Sequence, residues 1–452
     1  MRKILLFVLA FGLAGAAGAA SAASADIRPT AAELNLRTTL VQICSQVSPE
    51  LRTACARVRP RRRVLTGNIA EYTFRLPVGT GAYDVIGLHR IVRETAPWVP
   101  AASSRSLMMV HGDIWGFRAA FLTNSLRKLP VFLAGEGVDV WGIDLGWTLI
   151  PASVTNFGFL KNWGIERDAR DLGLGLAVAR RVRSITDHDP GKMFLLGWSR
   201  GGQIGYAYLN AESQIPEELR QVRGFIPVDI YLKTDIEELR EGACTRYRAG
   251  QDLWESGTYQ SANGVLIATI GQLAMSQPQR PSPFLPGFTN LQAGLAVGAM
   301  TFLFFPPDLA PVPLYHFTAA GNLVDGKPQS LNYTPTQTLL TLEKRSSPFQ
   351  PLRETLDGDA AICDDESIVD VPFDDHLDEI TVPVFYLGAD GGFGDYGIYT
   401  TTLLGSQDVT HHVVDLEPDD PSLNEYGHAD LFLATNARAL AWEPLLSWIR
   451  GH

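Results

Sequence analysis

The chain has 452 residues, of which 46% are hydrophobic and 19% charged, and its formal net charge is −11. This is an ordinary globular composition with apolar residues enough for a sizeable core, and it argues against large-scale disorder. The acidic balance argues against a nucleic-acid partner, and the length suits one large α/β domain with an insertion, or two smaller domains.

Residues 1–25 read as an export signal. Arg2 and Lys3 open it, an apolar run follows from Ile4 to Ala20, and Ala20-Ser21-Ala22 and Ala23-Ser24-Ala25 are both small-residue cleavage patterns. The mature protein is then expected to be secreted or periplasmic, with no stable membrane span after cleavage. Four cysteines, Cys44, Cys55, Cys244 and Cys363, allow three pairings. Cys44 with Cys55 would close a short loop and Cys244 with Cys363 would staple two distant segments, the preferred arrangement for an exported protein. No C-x-x-C pair supports zinc instead. Residues 26–65 form an N-terminal extension that ends in Arg57-Val58-Arg59-Pro60-Arg61-Arg62-Arg63. No aromatic residue interleaves this basic run, so it reads as an exposed linker or a patch docking on the acidic body.

From residue 71 the pattern becomes one of strands and helices. Residues 71–76 and 83–92 read as strands joined by the glycine turn Gly79-Thr80-Gly81, and 107–110 as a short buried strand leading into His111-Gly112-Asp113. A strand at 138–144 precedes a helix at 165–185, where Leu172, Leu174, Leu176, Val178 and Val182 supply the apolar positions. Next comes Met193-Phe194-Leu195-Leu196-Gly197-Trp198-Ser199-Arg200-Gly201-Gly202, four apolar residues running directly into G-x-S-x-G. That spacing suits a strained strand-to-helix turn with an exposed serine at its apex, flanked by glycines because side chains there would strike neighbouring backbone. Helix-compatible residues 203–210 put Ser199 at a helix N-terminus, where backbone N–H groups favour developing negative charge.

A strand at 224–229 follows, and then the alternation stops. Residues 233–376 are rich in Pro, Gly and aromatic residues and read as an inserted cap; Pro306-Pro307 cuts an apolar run too short for a membrane span. Alternation resumes with strands at 382–387 and 411–416. The chain closes on a helix with Ala439, Leu440, Trp442, Leu445, Leu446 and Ile449 on one face. Strands alternating with helices predict an α/β protein whose mainly parallel sheet is covered on both faces.

In the order of these motifs the chain resembles the α/β-hydrolase family, over residues 66–232 and 377–452. The resemblance implies a triad running serine, acid, histidine along the chain. Ser199 is then the nucleophile, and His428, in Tyr426-Gly427-His428-Ala429-Asp430 after the last strand, the general base. The acid is expected at Asp390, in Leu387-Gly388-Ala389-Asp390-Gly391-Gly392, with Asp229 at the end of an earlier strand as the alternative. His111-Gly112-Asp113 is similar to the family's oxyanion loop, implying the Asp113 and Arg200 backbone N–H groups as donors. The Asp113 carboxylate must then turn away, toward Arg118 or Arg200, or the donor is Ile114. His411-His412 reads as strand filling, with no third ligand at a telling spacing.

The expected activity is that of an exported serine hydrolase cleaving carboxylic esters, small or lipid-like, through an acyl-enzyme on Ser199, with no cofactor and no metal. Apolar cap residues such as Phe302, Phe304, Phe305, Leu314 and Tyr315 suggest a hydrophobic acyl or alcohol group. An acyltransferase or a peptidase would use the same triad, and a non-catalytic binding protein could keep the same fold.

Overall fold

Every residue of Met193–Trp198 is buried, and the sheet is built outward from this strand. The structure is a computed structural model that describes residues 30–47, 49–123, 128–186, 190–306, 309–417 and 422–452. The export signal expected at residues 1–25 lies outside them. The sheet strands are β1 (Arg61–Thr66), β2 (Ile69–Pro77), β3 (Val85–Ala96), β4 (Arg105–Val110), β5 (Val138–Asp144), β6 (Met193–Trp198), β7 (Val222–Val228), β8 (Val384–Ala389) and β9 (Val409–Val414). Their order is β1-β2-β3-β5-β4-β6-β7-β8-β9, and the two-residue strand Val99–Pro100 pairs with the end of β3. The pairs β1/β2, β2/β3 and β3/β5 are antiparallel, and every pair from β5 to β9 is parallel.

Successive strand residues point to opposite faces, and here both faces are buried. Met108 and Leu195 join Leu172 and Leu176 of α2 (Ile165–Ile185) and Ile204 of α3 (Arg200–Ser213) on one side. Their neighbours Leu107, Met109, Phe194 and Leu196 pack on the other side with Leu445 and Ile449 of the terminal helix Glu443–Gly451. The mainly parallel, doubly covered sheet predicted from the alternation is therefore the observed one.

The N-terminal extension is more ordered than its sequence suggests. Helix α1 (Ala31–Val47) contributes Leu40, Ile43 and Cys44 to the core. The end of the basic run is neither a loose linker nor a free patch: Arg61, Arg62 and Arg63 form the start of edge strand β1. Arg62 reaches Glu94 and Arg63 reaches Glu71, so two of the charges dock on the acidic body. Among the described residues between β7 and β8 there are five helices of eight residues or more. They are α4 (Glu237–Glu255), α5 (Asn263–Ser276), α6 (Asn290–Ala299), α7 (Thr336–Glu343) and α8 (Leu352–Cys363). A capping box opens α6, where Thr289 and Gln292 bond each other's backbone N–H. Of the three possible cysteine pairings the structure has Cys44–Cys55 and Cys244–Cys363, the latter fastening α4 to the end of α8.

One buried charge network ties β2, β3 and β5 to the chain that follows His111-Gly112-Asp113. His89 on β3 sits between Glu71 of β2, 2.7 Å from Nδ1, and Asp144 of β5, 2.9 Å from Nε2. Arg118 forks onto Glu71 at 2.7 and 2.8 Å, and the second Asp144 oxygen accepts the Phe117 backbone N–H at 2.7 Å. Burial opposes charge on all three groups, but the facing partners win. His89 is pushed up to about 9, while Glu71 and Asp144 are each held down to about 2. The histidine's contribution to stability is thus full below its ordinary pKa near 6.5 and fades as pH rises through about 9. The carboxylates' contribution is full above their ordinary range and fades as pH falls toward about 2. We expect His89→Gln to lower the unfolding free energy by roughly 3–5 kcal/mol at pH 6, because it removes the cation that Glu71 and Asp144 share while their carboxylates stay in place. In urea titrations the deficit should narrow above pH 9; a deficit that does not change with pH would contradict this assignment.

Candidate functional site

At the end of β6 the chain turns sharply into α3. Ser199 occupies the turn with φ 56° and ψ −130°, a strained conformation for a residue with a side chain. Glycines flank it because the turn closes on itself: a Cβ on Gly197 would lie 2.2 Å from the Gly201 carbonyl oxygen, and one on Gly201 2.5 Å from that of Val110. Backbone bonds hold the turn from both sides, Ser199 N–H to Val228 O at 2.9 Å and Gly202 N–H to Ser199 O at 2.7 Å. The result is a half-buried serine whose Oγ makes no hydrogen bond among the described residues.

His428 is brought to the same place from the far end of the chain. Its ring stacks on Trp198, the residue before Ser199, with centroids 5.1 Å apart and planes 27° apart. Tyr315, Phe317 and Phe393 complete an aromatic sheath with centroids 5.5–5.7 Å from the imidazole. The loop is pinned by His428 N–H to His316 O at 3.1 Å, Ala429 N–H to Phe317 O at 2.7 Å and Gly427 N–H to the Asp430 carboxylate at 2.9 Å. Segment 316–318 of the insertion therefore fixes the histidine as much as the sheet does.

The expectation that Asp390 partners this histidine is overturned. His428 Nδ1 lies 2.6 Å from Asp229 Oδ2, the alternative, and Asp229 is fully buried at the end of β7. The glycine-rich loop that carries Asp390 serves Asp229 instead, by giving it backbone N–H groups. Ala389, Phe393 and Gly394 donate to Oδ1 at 2.8, 3.1 and 3.0 Å. Gly392 lets this wrap close, since a Cβ there would lie 2.0 Å from Asp229 Oδ2 and 3.1 Å from the His428 Cα. Asp390 itself faces Asp415 and Glu425, with carboxylate oxygens within 4.8 Å of one another. Partial burial and repulsion from these two acids push it up to about 6.

The carboxylate of Asp229 can only accept, so Nδ1 of His428 carries the proton that lies between them. In the neutral ring Nε2 is then an unprotonated acceptor, and it makes no hydrogen bond among the described residues. Hydrogen bonds of this kind are often long before a reactant binds, so the open Nε2 and the open Ser199 Oγ are compatible with proton transfer between them.

On the other side of Ser199 lies the loop after β4. The Gly112 Cα approaches so closely that a Cβ on it would be 2.8 Å from the Ser199 Cβ. His111 is fully buried and held below its ordinary pKa by desolvation. Its Nε2 accepts the Leu145 N–H at 3.2 Å, which leaves Nδ1 as the donor to Gly112 O at 2.9 Å. That bond fixes the peptide joining Gly112 to Asp113, and in a trans peptide the Asp113 N–H points opposite to the pinned carbonyl. Neither the Asp113 N–H nor the Arg200 N–H donates to any group among the described residues. The Asp113 carboxylate turns to the Arg200 guanidinium, 3.1 Å from Nε, and to Gln350 Nε2 at 2.6 Å, while Arg118 is occupied by Glu71.

Sequence reasoning missed the polar support behind this loop. Arg200 also reaches Gln203, whose amide donates to Tyr231 O at 2.9 Å. Glu354 of α8 is fully buried, meets Gln350 Nε2 at 3.2 Å, and its Oε1 has no hydrogen bond among the described residues. Burial, and then the Asp113 charge, push it up to about 8. Because the folded state holds that proton more tightly, the stabilisation is full below the ordinary glutamate range and is lost as pH rises toward 8. We expect Glu354→Gln to match the wild type in thermal unfolding near pH 4.5 and to exceed it by on the order of 2 kcal/mol at pH 9. A variant less stable than the wild type at pH 9 would contradict this.

No protein-family model matches the chain, and no curated protein matches it. Solved structures do. The chain is similar to a candidate lipase from Sulfolobus solfataricus, at 16% identity and a TM-score of 0.58, over 87% of this chain and 98% of that one. It is also similar to a soluble variant of monoglyceride lipase from Saccharomyces cerevisiae, at 10% identity and a TM-score of 0.40, over 87% and 95%. A thermophilic esterase from Thermogutta terrifontis aligns at 13% identity and a TM-score of 0.38, over 82% and 96%. At such identities the likeness is one of fold, and it rests on the first of the three.

Proposed function

We propose that this chain, which has the α/β-hydrolase fold, is a serine hydrolase of carboxylic esters that works through an acyl-enzyme on Ser199. One observation carries the reading: a buried carboxylate, Asp229, holds Nδ1 of His428 at 2.6 Å. Nε2 is thereby left open beside the strained turn that presents Ser199. In the proposed reaction Nε2 takes the Ser199 proton as Oγ attacks the ester carbonyl, and returns it to the departing alcohol. Water, deprotonated by the same nitrogen, then releases the acid. Asp229 keeps the ring in the required tautomer and stabilises its charged form. The Asp113 and Arg200 N–H groups take up the oxyanion, where one such donor is worth ~10²–10³ in rate.

The inserted segment acts as the cap in this reading. Tyr315 and Phe317 come from it to the imidazole, and Leu303, Phe304 and Leu314 are exposed on it. These apolar groups support a substrate with a hydrophobic acyl or alcohol part. Two disulfides support an oxidising compartment, and so export. No described helix is long and apolar enough to cross a membrane.

The test is an ester panel of increasing acyl length. We expect Ser199→Ala to lose at least ~10³ in kcat, Asp229→Asn on the order of 10⁴ through the wrong imidazole tautomer, and Asp390→Asn less than about threefold. Full activity in Asp229→Asn would sink the proposed triad. Fast transfer to added alcohol with acid release at background would make the protein an acyltransferase.

A further inference from the structure

A cleft of about 650 Å³ opens between β1, the chain after the oxyanion loop and the inserted segment, and Ser199, His428 and Asp229 are not among its lining residues. Four cations from four separate elements line it: Arg63 of β1, Arg118 of helix Phe117–Leu122, Lys128 just before helix Leu129–Gly135, and Arg345 just after α7. In a chain with net charge −11 such convergence is unusual. Glu71 is shared by Arg63, Arg118 and His89, and Asp144 faces His89. Lys128 and Arg345 have no ion pair among the described residues. Counting Arg63, Arg118, Lys128, Arg345 and protonated His89 against Glu71 and Asp144 leaves three positive charges uncompensated.

Like charges gathered without a counter-ion cost stability, so a solvated surface would spread them rather than collect them around a concave site. Lys128 carries that strain: partial burial, and then repulsion from Arg63 and Arg345, hold it below the ordinary lysine range. Hydroxyl groups stand among the cations, with Thr123 accepting from Arg345 Nη1 at 3.2 Å and Ser347 on the rim. The volume exceeds what a simple inorganic anion needs, and Leu65 and Leu122 give part of the wall an apolar face suited to an organic body.

We infer that this cleft is a binding site for a small organic phosphate, with the phosphate held by Lys128 and Arg345, helped by the Nη1 end of Arg118 that Glu71 leaves over, and the organic part against the apolar wall. The Arg345 guanidinium and the Lys128 ammonium, neither with a carboxylate partner among the described residues, match a tetrahedral oxyanion of more than one charge, whereas a single carboxylate would leave most of the donors unused. The site is also wired to the oxyanion loop: Ser347 N–H donates to Ile114 O at 2.6 Å, one residue beyond Asp113. Occupancy would therefore brace the inserted segment against that loop.

The probes are inorganic phosphate, pyrophosphate and glycerol 3-phosphate, titrated calorimetrically into the full chain at two salt concentrations. Wild type should bind glycerol 3-phosphate saturably, more tightly than inorganic phosphate and more weakly at higher salt. The double variant Lys128→Gln/Arg345→Gln should lose at least tenfold in affinity, with a thermal midpoint no lower than that of wild type without ligand. Arg345→Lys should lose less than Arg345→Gln. Absence of saturable binding by wild type, equal binding of glycerol 3-phosphate and inorganic phosphate, or a double variant that binds like wild type would each overturn the proposal. Ester hydrolysis in the unliganded protein does not enter any of these outcomes.

Discussion

The carboxylate of Asp229 is the constraint on which the rest of the site depends. It is fully buried, and a bare carboxylate in such a place is costly unless every oxygen has donors. Three backbone N–H groups from the 389–394 loop and Nδ1 of His428 supply them. The cost of leaving any of these bonds unmade holds the loop, the histidine and the end of β7 in one arrangement. Asp229 has φ 49° and Ser199 has φ 56°, so two strained non-glycine residues stand at the ends of neighbouring parallel strands. Strain of this kind persists only where surrounding bonds over-determine it, and here the Val228 carbonyl bonds the Ser199 N–H while Leu387 O bonds the Asp229 N–H.

A second layer of charge surrounds that centre. The His89 network sets where the chain after His111-Gly112-Asp113 can run, through the bond from Phe117 N–H to Asp144. The Arg200–Asp113–Gln350–Glu354 chain draws an acidic side chain away from the place where an oxyanion would form. An aspartate beside Ser199 is thus tolerated because its charge is drawn back into the protein and paired. The inserted segment takes part in both layers, giving Gln350 and Glu354 to one side of the loop and Tyr315 to Phe317 to the histidine.

What was legible in the sequence was local. Met193-Phe194-Leu195-Leu196 followed by G-x-S-x-G is a strand and a turn within ten residues, and the strand at 138–144 and helix at 165–185 follow from their own periodicity. His428 could be chosen by its position after the last strand. The carboxylate that meets it could not, because Asp229 and Asp390 differ only in how a loop 160 residues away folds over one of them. The signal that existed was the excess of glycine at 388–394, which marks backbone approaching something closely rather than the site of a catalytic side chain. Strand β1 was hidden for another reason. An edge strand with exposed arginines carries no hydrophobic alternation, so Arg61–Thr66 looked like linker. Networks such as Glu71–His89–Asp144 join positions 18 and 55 residues apart and leave no pattern in one sequence.

The most direct measurement is covalent. A fluorophosphonate reacts only with a serine whose proton can be taken as it attacks, so the site and rate of labelling report on the Ser199–His428–Asp229 arrangement without knowledge of the substrate. Mass spectrometry of digested, labelled protein should find the adduct on Ser199, with the labelling rate cut by at least ~10³ in His428→Ala. Labelling on another residue, or an equal rate in the folded His428→Ala variant, would contradict the account.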